Sequence, residues 1–541
     1  MIMDRDTIMD EAAGRNRVVA GSLAPTPSVP VPVPVPVTVP VWRAGAALTP
    51  SRPHLFTSSL PHRAGGGIQY DGTRRLCMKI TVLGAGRCVT GSKYLLQWKH
   101  HAALVDCGLF QGPAENRRRN WKPLPYPEHR LGAVVLTHAH IDHSGYLPRL
   151  VRQGFRGPIH CTPPTAALLR VLLPDAAHLQ EEEARYANKK GYSKHRPALP
   201  LFRLADAKAA LRALEPVPFG EWVDLNPGVK FRYHRQGHIL GAAAVEVVTK
   251  VSGGQHRSVY FSGDVGRYGV PILREPESYP GSDVLFVETT YGDRLHDRRD
   301  PYSVLADAVN AGIRRGGVIL IPAFAVDRTQ EILYILHELM ESGEVPEIPI
   351  FLDSPMGIET TALYSRFVEE HDAEMREYFS EGKNPIFPPN LTVTRSTAES
   401  KKLNHVDGPA IIISASGMAT GGRILHHLKL RLPDPRNTVL FVGYQAQGTK
   451  GRRLVEGEPE IKIHGGWIPV RAHVDSLGAF SAHADQEELL VWLKRRKREP
   501  STVCLIHGEL PAQETFADLL KKELGWETLI PEIGDEIDLS R

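Results

Sequence analysis

The chain has 541 residues, 42% of them apolar and 23% charged, with a formal net charge of +4 at pH 7 and a pI near 8.6. These proportions exclude a fibrous or wholly disordered chain and allow about two to four globular domains. The positive surplus is too small to argue by itself for a polyanionic partner. The five cysteines (Cys77, Cys88, Cys107, Cys161 and Cys504) are scattered and form no Cys-x-x-Cys pair. Neither a disulfide framework nor a thiolate zinc site is expected, and a reducing cytoplasm fits. No apolar run reaches the roughly 18 residues of a membrane-spanning helix. The acidic start (Asp4, Asp6, Asp10, Glu11) lacks the order of a secretory signal.

Residues 1–77 do not pattern as a domain. Val and Pro alternate between Val29 and Val41, which removes amide donors and favours polyproline II. Ser, Pro, Arg and Gly dominate the rest, so a disordered extension is expected. It reads either as a flexible tail or as an extension ahead of a natural start at Met78. From there short strands alternate with helices. Residues 81–86, 93–98 and 102–106 read as strands, the last closing on Asp106, which either caps a turn or orients a neighbouring ligand. An apolar strand over 131–136 ends at Thr137. Residues 164–190 have helical period, and 231–235, 245–251, 258–262 and 284–287 read as strands, the last ending at Glu288.

The composition shifts near 293. Helices are expected over 303–315 and 327–341, with strands over 317–323, 348–353, 392–394, 410–414 and 438–442. That alternation predicts a parallel sheet flanked by helices. It reads as a domain inserted at 293–469 between the two parts, 78–292 and 470–541, of a first domain. Basic runs at 117–119, 450–453 and 494–498 read as solvated faces.

Behind Thr137 stand His138, His140, Asp142 and His143. Residues two apart in extended chain point the same way, so His138 and His140 can meet on one cation. After Ile141 the chain must turn, and Asp142 and His143 face a second point. Imidazole with carboxylate, without thiolate, is the donor set of a catalytic zinc site. A histidine-rich surface loop would not place four such residues directly behind a buried strand. His238 between Gly237 and Gly241, Asp264 after Gly263, and His507 before Gly508 stand at strand ends where glycine lets the backbone turn beside an ion. Together these residues are enough for two ions.

His-x-His-x-Asp-His, then a Gly-flanked His, then Ser-Gly-Asp resembles the signature of the metallo-β-lactamase fold. Glu-Thr-Thr-Tyr-Gly-Asp-Arg from 288, Phe-Ser-Ala-His-Ala-Asp at 480–485 and Ile-His-Gly-Glu at 506–509 resemble the β-CASP branch. The similarity is to bacterial and archaeal RNA-specific nucleases related to the cleavage and polyadenylation endonuclease subunit, and it covers residues 78–541. It implies a four-layered αββα fold with an inserted α/β β-CASP domain, and two Zn²⁺ ions, for which Mn²⁺ would also fit. In such a family His138, His140 and His238 hold one ion and Asp142, His143 and His507 the other, with Asp264 bridging and Asp106 behind. Two such ions, roughly 3.5–4 Å apart, share a water and lower its pKa. His483 is then the general acid for the leaving oxygen, held charged by Glu288; the alternative is a turn histidine ahead of the helix from Asp485.

The substrate expected from the resemblance is RNA, favoured over DNA by His507, and cleavage is expected to be endonucleolytic. A 5′-exonuclease of the ribonuclease J type is the alternative, although no counterpart of that branch's C-terminal domain is evident after His507. A thioesterase-like small-molecule hydrolase and an RNA-binding scaffold with a structural metal stay open. Ser416, Gly417, Gly422 and Arg423, just before a helix, read as a phosphate cradle or as a simple strand-to-helix turn. Lys450, with Arg452 and Arg453, reads as a contact to the RNA backbone. No nucleotide cofactor and no membrane are expected, and the oligomeric state is not fixed.

Overall fold

The computed structural model describes residues 78–539 apart from 192, 227 and 251–254. The extension expected at 1–77, and the end of the strand expected to reach Val251, lie outside the described residues.

Two seven-stranded sheets face each other. The first runs, in spatial order, Glu536–Asp538, Met78–Val82, Tyr94–Trp98, His101–Val105, Ala133–Val135, Ile159–Cys161 and Leu214–Pro216. The second runs Thr528–Leu529, Thr502–Ile506, Val284–Glu288, His256–Phe261, Ala243–Lys250, Val229–Arg235 and Val223–Asn226. Side chains alternate across a strand, and here both directions are apolar. In Tyr94–Trp98, Tyr94, Leu96 and Trp98 enter the core between the sheets with Phe231, Val245, Phe261 and Phe286, while Leu95 joins a core on the opposite face. Helices cover both outer faces: Leu147, Leu150, Leu168 and Leu169 pack on the first sheet, and Leu489, Trp492, Phe516 and Leu520 on the second. Each such side chain contributes about 1.5–3 kcal/mol when fully buried. The result is the four-layered αββα arrangement.

The expected strand over 81–86 stops at Val82. The next residues form a loop with Ala85 and Arg87 at φ 55° and 54°. This loop folds back on Ser92 and Lys93, and Leu83 N–H donates to the Lys93 carbonyl at 2.9 Å. The strand expected over 131–136 shortens to Ala133–Val135, which frees Thr137 and His138 to turn away from the sheet.

A third sheet has six strands in the order Leu391–Val393, Ile350–Leu352, Ala410–Ser414, Val318–Pro322, Thr438–Phe441 and His473–Ser476, every pairing parallel. Both faces of its central strands are buried, as parallel sheets require. Ile319, Ile321, Ile411 and Ile413 pack under helices that include Pro301–Arg315 and Arg328–Glu341. Leu320, Ile412 and Val439 pack under Ile424–Arg431. The sixth strand lies beyond residue 469, where the insertion was expected to end, because it pairs along its whole length with Thr438–Phe441. All six carboxyl ends lie along one edge, where ligands gather in open α/β sheets.

Candidate metal centre and active site

The centre is built on strand ends. Asp106 follows His101–Val105 at φ 58°. Its carboxylate accepts the Thr137 amide at 2.8 Å, the Thr137 hydroxyl at 2.9–3.0 Å and His143 Nδ1 at 2.8 Å. It therefore both ties the turn and orients a histidine. Ile141–Ser144 forms one helical turn directly over Gly108, where a Cβ would come within 1.5 Å of the Asp142 carbonyl; only glycine fits there. Gly237 and Gly263 take the left-handed backbone expected of them, at φ 62° and 58°. At the third position the left-handed residue is His507 itself, φ 49°, rather than Gly508.

These turns bring two clusters together. In the first, His138 Nε2 and His238 Nε2 lie 3.1 and 3.2 Å from His140 Nδ1, and both lie 3.4–3.5 Å from Asp264 Oδ2. In the second, His143 Nε2 is 3.1 Å from His507 Nε2, which is 3.5 Å from Asp142 Oδ2. His143 Nε2 is also 3.2 Å from Asp264 Oδ1. Asp264 thus turns one carboxylate oxygen to each cluster.

The donor set fits cations. His238 Nδ1 donates to the Ala482 carbonyl at 3.1 Å, so its Nε2 is a lone pair. Thr137 Oγ1 holds His138 Nδ1 at 3.0 Å in the same way. Both Nε2 atoms converge on a His140 nitrogen that can donate at most one proton. Metal–ligand bonds of about 2.0–2.1 Å in a tetrahedron set donors about 3.3–3.4 Å apart, close to the spacing seen. Asp264 Oδ1 is buried and accepts no hydrogen bond, a costly state that a cation relieves.

The electrostatics divide the clusters. Burial, with His143 adding, pushes His138 down to about 3, and burial brings His140 down to about 4 and holds His238 well below the ordinary value. All three are neutral rings near pH 7. Burial opposes charge on His143 too, but Asp264 and Asp106 outweigh it and hold its pKa well above the ordinary value. Against the burial penalty, the surrounding histidines hold Asp264 well below the ordinary value, and His507 and His143 do the same for Asp142.

Beside the first cluster lies His483, its ring centroid 4.4 Å from that of His238. His483 Nδ1 meets Glu288 Oε1 at 3.1 Å. Burial works against its charge, but Glu288 raises its pKa to about 9. The helix that follows is capped by Asp485, which accepts the Glu487 and Glu488 amides, so His483 is not the cap. Thr290 went unassigned in the sequence. Its hydroxyl meets Glu288 Oε2 at 2.5 Å and His507 Nδ1 at 3.1 Å. His296 Nε2 meets the His483 carbonyl at 2.9 Å. The signal for Thr137 and Thr290 was their position next to, or two residues from, a candidate site residue at a strand end.

The residues expected to cradle phosphate stand in the turn between Ala410–Ser414 and Ile424–Arg431, with several of their polar groups engaged inside the protein. Arg423 gives its guanidinium to Asp353 Oδ1 (2.7 Å) and to the Thr394 and Arg395 carbonyls (each 3.0 Å), so it braces the inserted domain. Ser416 Oγ meets the hydroxyl and amide of Thr420 at 3.0 and 3.2 Å. Gly422 has φ 80°, and Gly417 lies against Phe324. Lys450 opens the helix Lys450–Val455, while Arg452 and Arg453 pair with Glu456 and Glu458. Those two arginines are engaged within the protein.

Three family models match stretches of the chain. Residues 101–311 match a β-lactamase superfamily domain, 329–454 a Beta-Casp domain, and 467–531 a Zn-dependent metallo-hydrolase RNA specificity domain. The chain is 40% identical over 433 residues to ribonuclease TTHA0252 of Thermus thermophilus, covering 80% of this chain and 93% of that one. It is 32% identical over 468 residues to the transcription termination factor FttA of Methanocaldococcus jannaschii, covering 84% and 70%. With FttA of Thermococcus kodakarensis it shares 33% over 481 residues, covering 85% and 71%. The chain belongs to the β-CASP branch of the metallo-β-lactamase superfamily, as a metal-dependent hydrolase with an RNA specificity domain.

Proposed function

We propose that the protein is a dinuclear-zinc ribonuclease that cleaves RNA endonucleolytically. The observation that carries this reading is Asp264, with one carboxylate oxygen turned to each of two histidine clusters and His483 alongside. His138, His140 and His238 would hold one ion and Asp142, His143 and His507 the other, with Asp264 shared between them. When bound, paired zinc ions lower the pKa of a water and stabilise charge on phosphoryl oxygens. The rest falls to the protein. Asp106 and Thr137 fix the rings of His138 and His143, so their Nε2 atoms stay aimed inward. His483 is charged near neutral pH because Glu288 faces its Nδ1. Its Nε2–H gives a proton to the oxygen that leaves phosphorus, and Glu288 stabilises the ring's orientation throughout. The similarity to a protein named ribonuclease and to an RNA specificity domain supports RNA as the substrate.

The test is to digest 5′-labelled, 3′-labelled and circular RNA with protein whose zinc has been quantified. Opening of circles with about two zinc ions per chain is the expected result. Mononucleotide release from 5′ ends with intact circles would select a 5′-exonuclease instead, and turnover of thioesters alone would end the RNA reading.

A further inference from the structure

Five aromatic side chains are among the exposed large apolar residues described: Trp121, Trp222, Phe324, Tyr444 and Trp467. Three are covered by an arginine, with Arg149, Arg232 and Arg453 lying 5.7, 4.6 and 6.0 Å from the ring centroids of Trp121, Trp222 and Trp467. Among the described residues no cation lies over Phe324 or Tyr444, which are 44% and 55% exposed. These two also share a place in the fold. Phe324 follows Val318–Pro322 and Tyr444 follows Thr438–Phe441, neighbouring parallel strands of the inserted sheet, so both rings stand at its carboxyl edge. The next strand along, His473–Ser476, leads at that edge into the segment carrying His483.

The loops bearing the two rings are fixed to one another. Gln445 Nε2 donates to the Gly417 carbonyl at 3.1 Å and to the Gly443 carbonyl at 3.0 Å. Gly417 in turn seats Phe324: a Cβ there would stand 2.9 Å from the ring. On the active-site side, the Tyr291 ring lies 6.0 Å from that of His483. The exposed rings are therefore held in place and lie on the side of the sheet where the proton donor stands. Rings 44% and 55% exposed, on loops tied down by hydrogen bonds, keep much of their apolar surface available to a ligand. Two exposed aromatic faces on tethered loops, at the sheet edge that leads to His483, suit one class of ligand, the unpaired nucleobase.

We propose that Phe324 and Tyr444 form a stacking platform for unpaired bases flanking the scissile phosphate; this rests on the ribonuclease reading above. Stacking is tolerant of sequence, since every base has a π face. The platform therefore selects single-stranded RNA over duplex, in which the bases are already stacked on one another.

The experiment uses the full chain carrying His483→Ala, which slows turnover, and binding is read before cleavage accumulates. Single-stranded oligoribonucleotides carry 2-aminopurine at successive positions, and both fluorescence quenching and anisotropy are read. The parent is expected to quench the probe at one or two positions. Phe324→Leu and Tyr444→Leu keep apolar bulk on exposed loops, and each is expected to abolish quenching at its position and to weaken binding about tenfold. Both should leave affinity for an oligonucleotide lacking bases at those positions unchanged, with thermal unfolding at the parent's midpoint. Quenching that persists in the double variant overturns the platform. So does an equal loss of affinity for the abasic oligonucleotide, or a parent that binds by anisotropy with no quenching anywhere. A parent giving no anisotropy change with any RNA overturns the ribonuclease reading, and the platform with it.

Discussion

Thr290 is the smallest group on which two functions of the site meet. Its hydroxyl has one proton, and the short approach to Glu288 Oε2 takes it. It must then accept from His507 Nδ1, which fixes the His507 Nε2 lone pair toward the second cluster. Thr290→Val keeps the shape and removes the relay. It is expected to weaken zinc affinity about tenfold or more in chelator competition, and Thr290→Ser is expected to restore it. His483→Ala should do the reverse: metal content stays at the parent value while kcat falls by about 10²- to 10⁴-fold, because His483 bonds Glu288 rather than any cluster oxygen or nitrogen. At this scale legibility followed sequence distance. His138, His140, Asp142 and His143 are recognisable because a strand and one turn are enough to converge them. Arg423 was misread because its partner, Asp353, lies 70 positions away, and no local pattern announces such a pairing.

Among the elements, the strand Ile350–Leu352 matters for the carboxylate it delivers at its end. Asp353 is fully buried and serves Arg423, His427, Thr394 and Ser400 at once, with His427 Nε2 and Ser400 Oγ each 2.7 Å from Oδ2. Despite burial, the His427, Ser400, Thr394 and Arg423 bonds hold its pKa well below the ordinary 3.8. A depressed carboxylate pKa stabilises the fold fully above the unfolded value, and that stabilisation fades as pH falls below it toward the folded value. Asp353→Ala leaves Arg423 without its counter-charge and His427 without its hydrogen-bond partner. It should destabilise the chain by roughly 3–5 kcal/mol in denaturant titrations at pH 7, with a smaller difference from the parent in strongly acidic buffer. The alternation of strand and helix after residue 293 made the parallel sheet legible. Its last strand, His473–Ser476, is short, polar and exposed at three of four positions, so neither periodicity nor apolar content marked it.

Across the whole molecule, the donors reach from His138 to His507 and come from both facing sheets. In the absence of cations the centre holds converging lone pairs and an unsatisfied buried carboxylate oxygen. Cation binding acts on the folded chain only, so it raises stability by mass action: about 4 kcal/mol at a free concentration a thousand times Kd. Chelation should lower the thermal midpoint and zinc should return it, with no such response in Asp264→Ala. The layered fold was legible only through the family resemblance that the motifs carry; strand lengths and spacing alone did not announce two facing sheets. No helix among the described residues is long and apolar enough to cross a membrane.

The carbonyl of Ala482 accepts the ring proton of His238 while the next residue in the chain is His483. One peptide unit is thus shared between a cluster histidine and His483. A shift of the 479–483 segment would move the acceptor of the His238 ring proton. Under the proposed ribonuclease reading, cobalt substituted at the centre is expected to change colour when an uncleavable oligonucleotide docks.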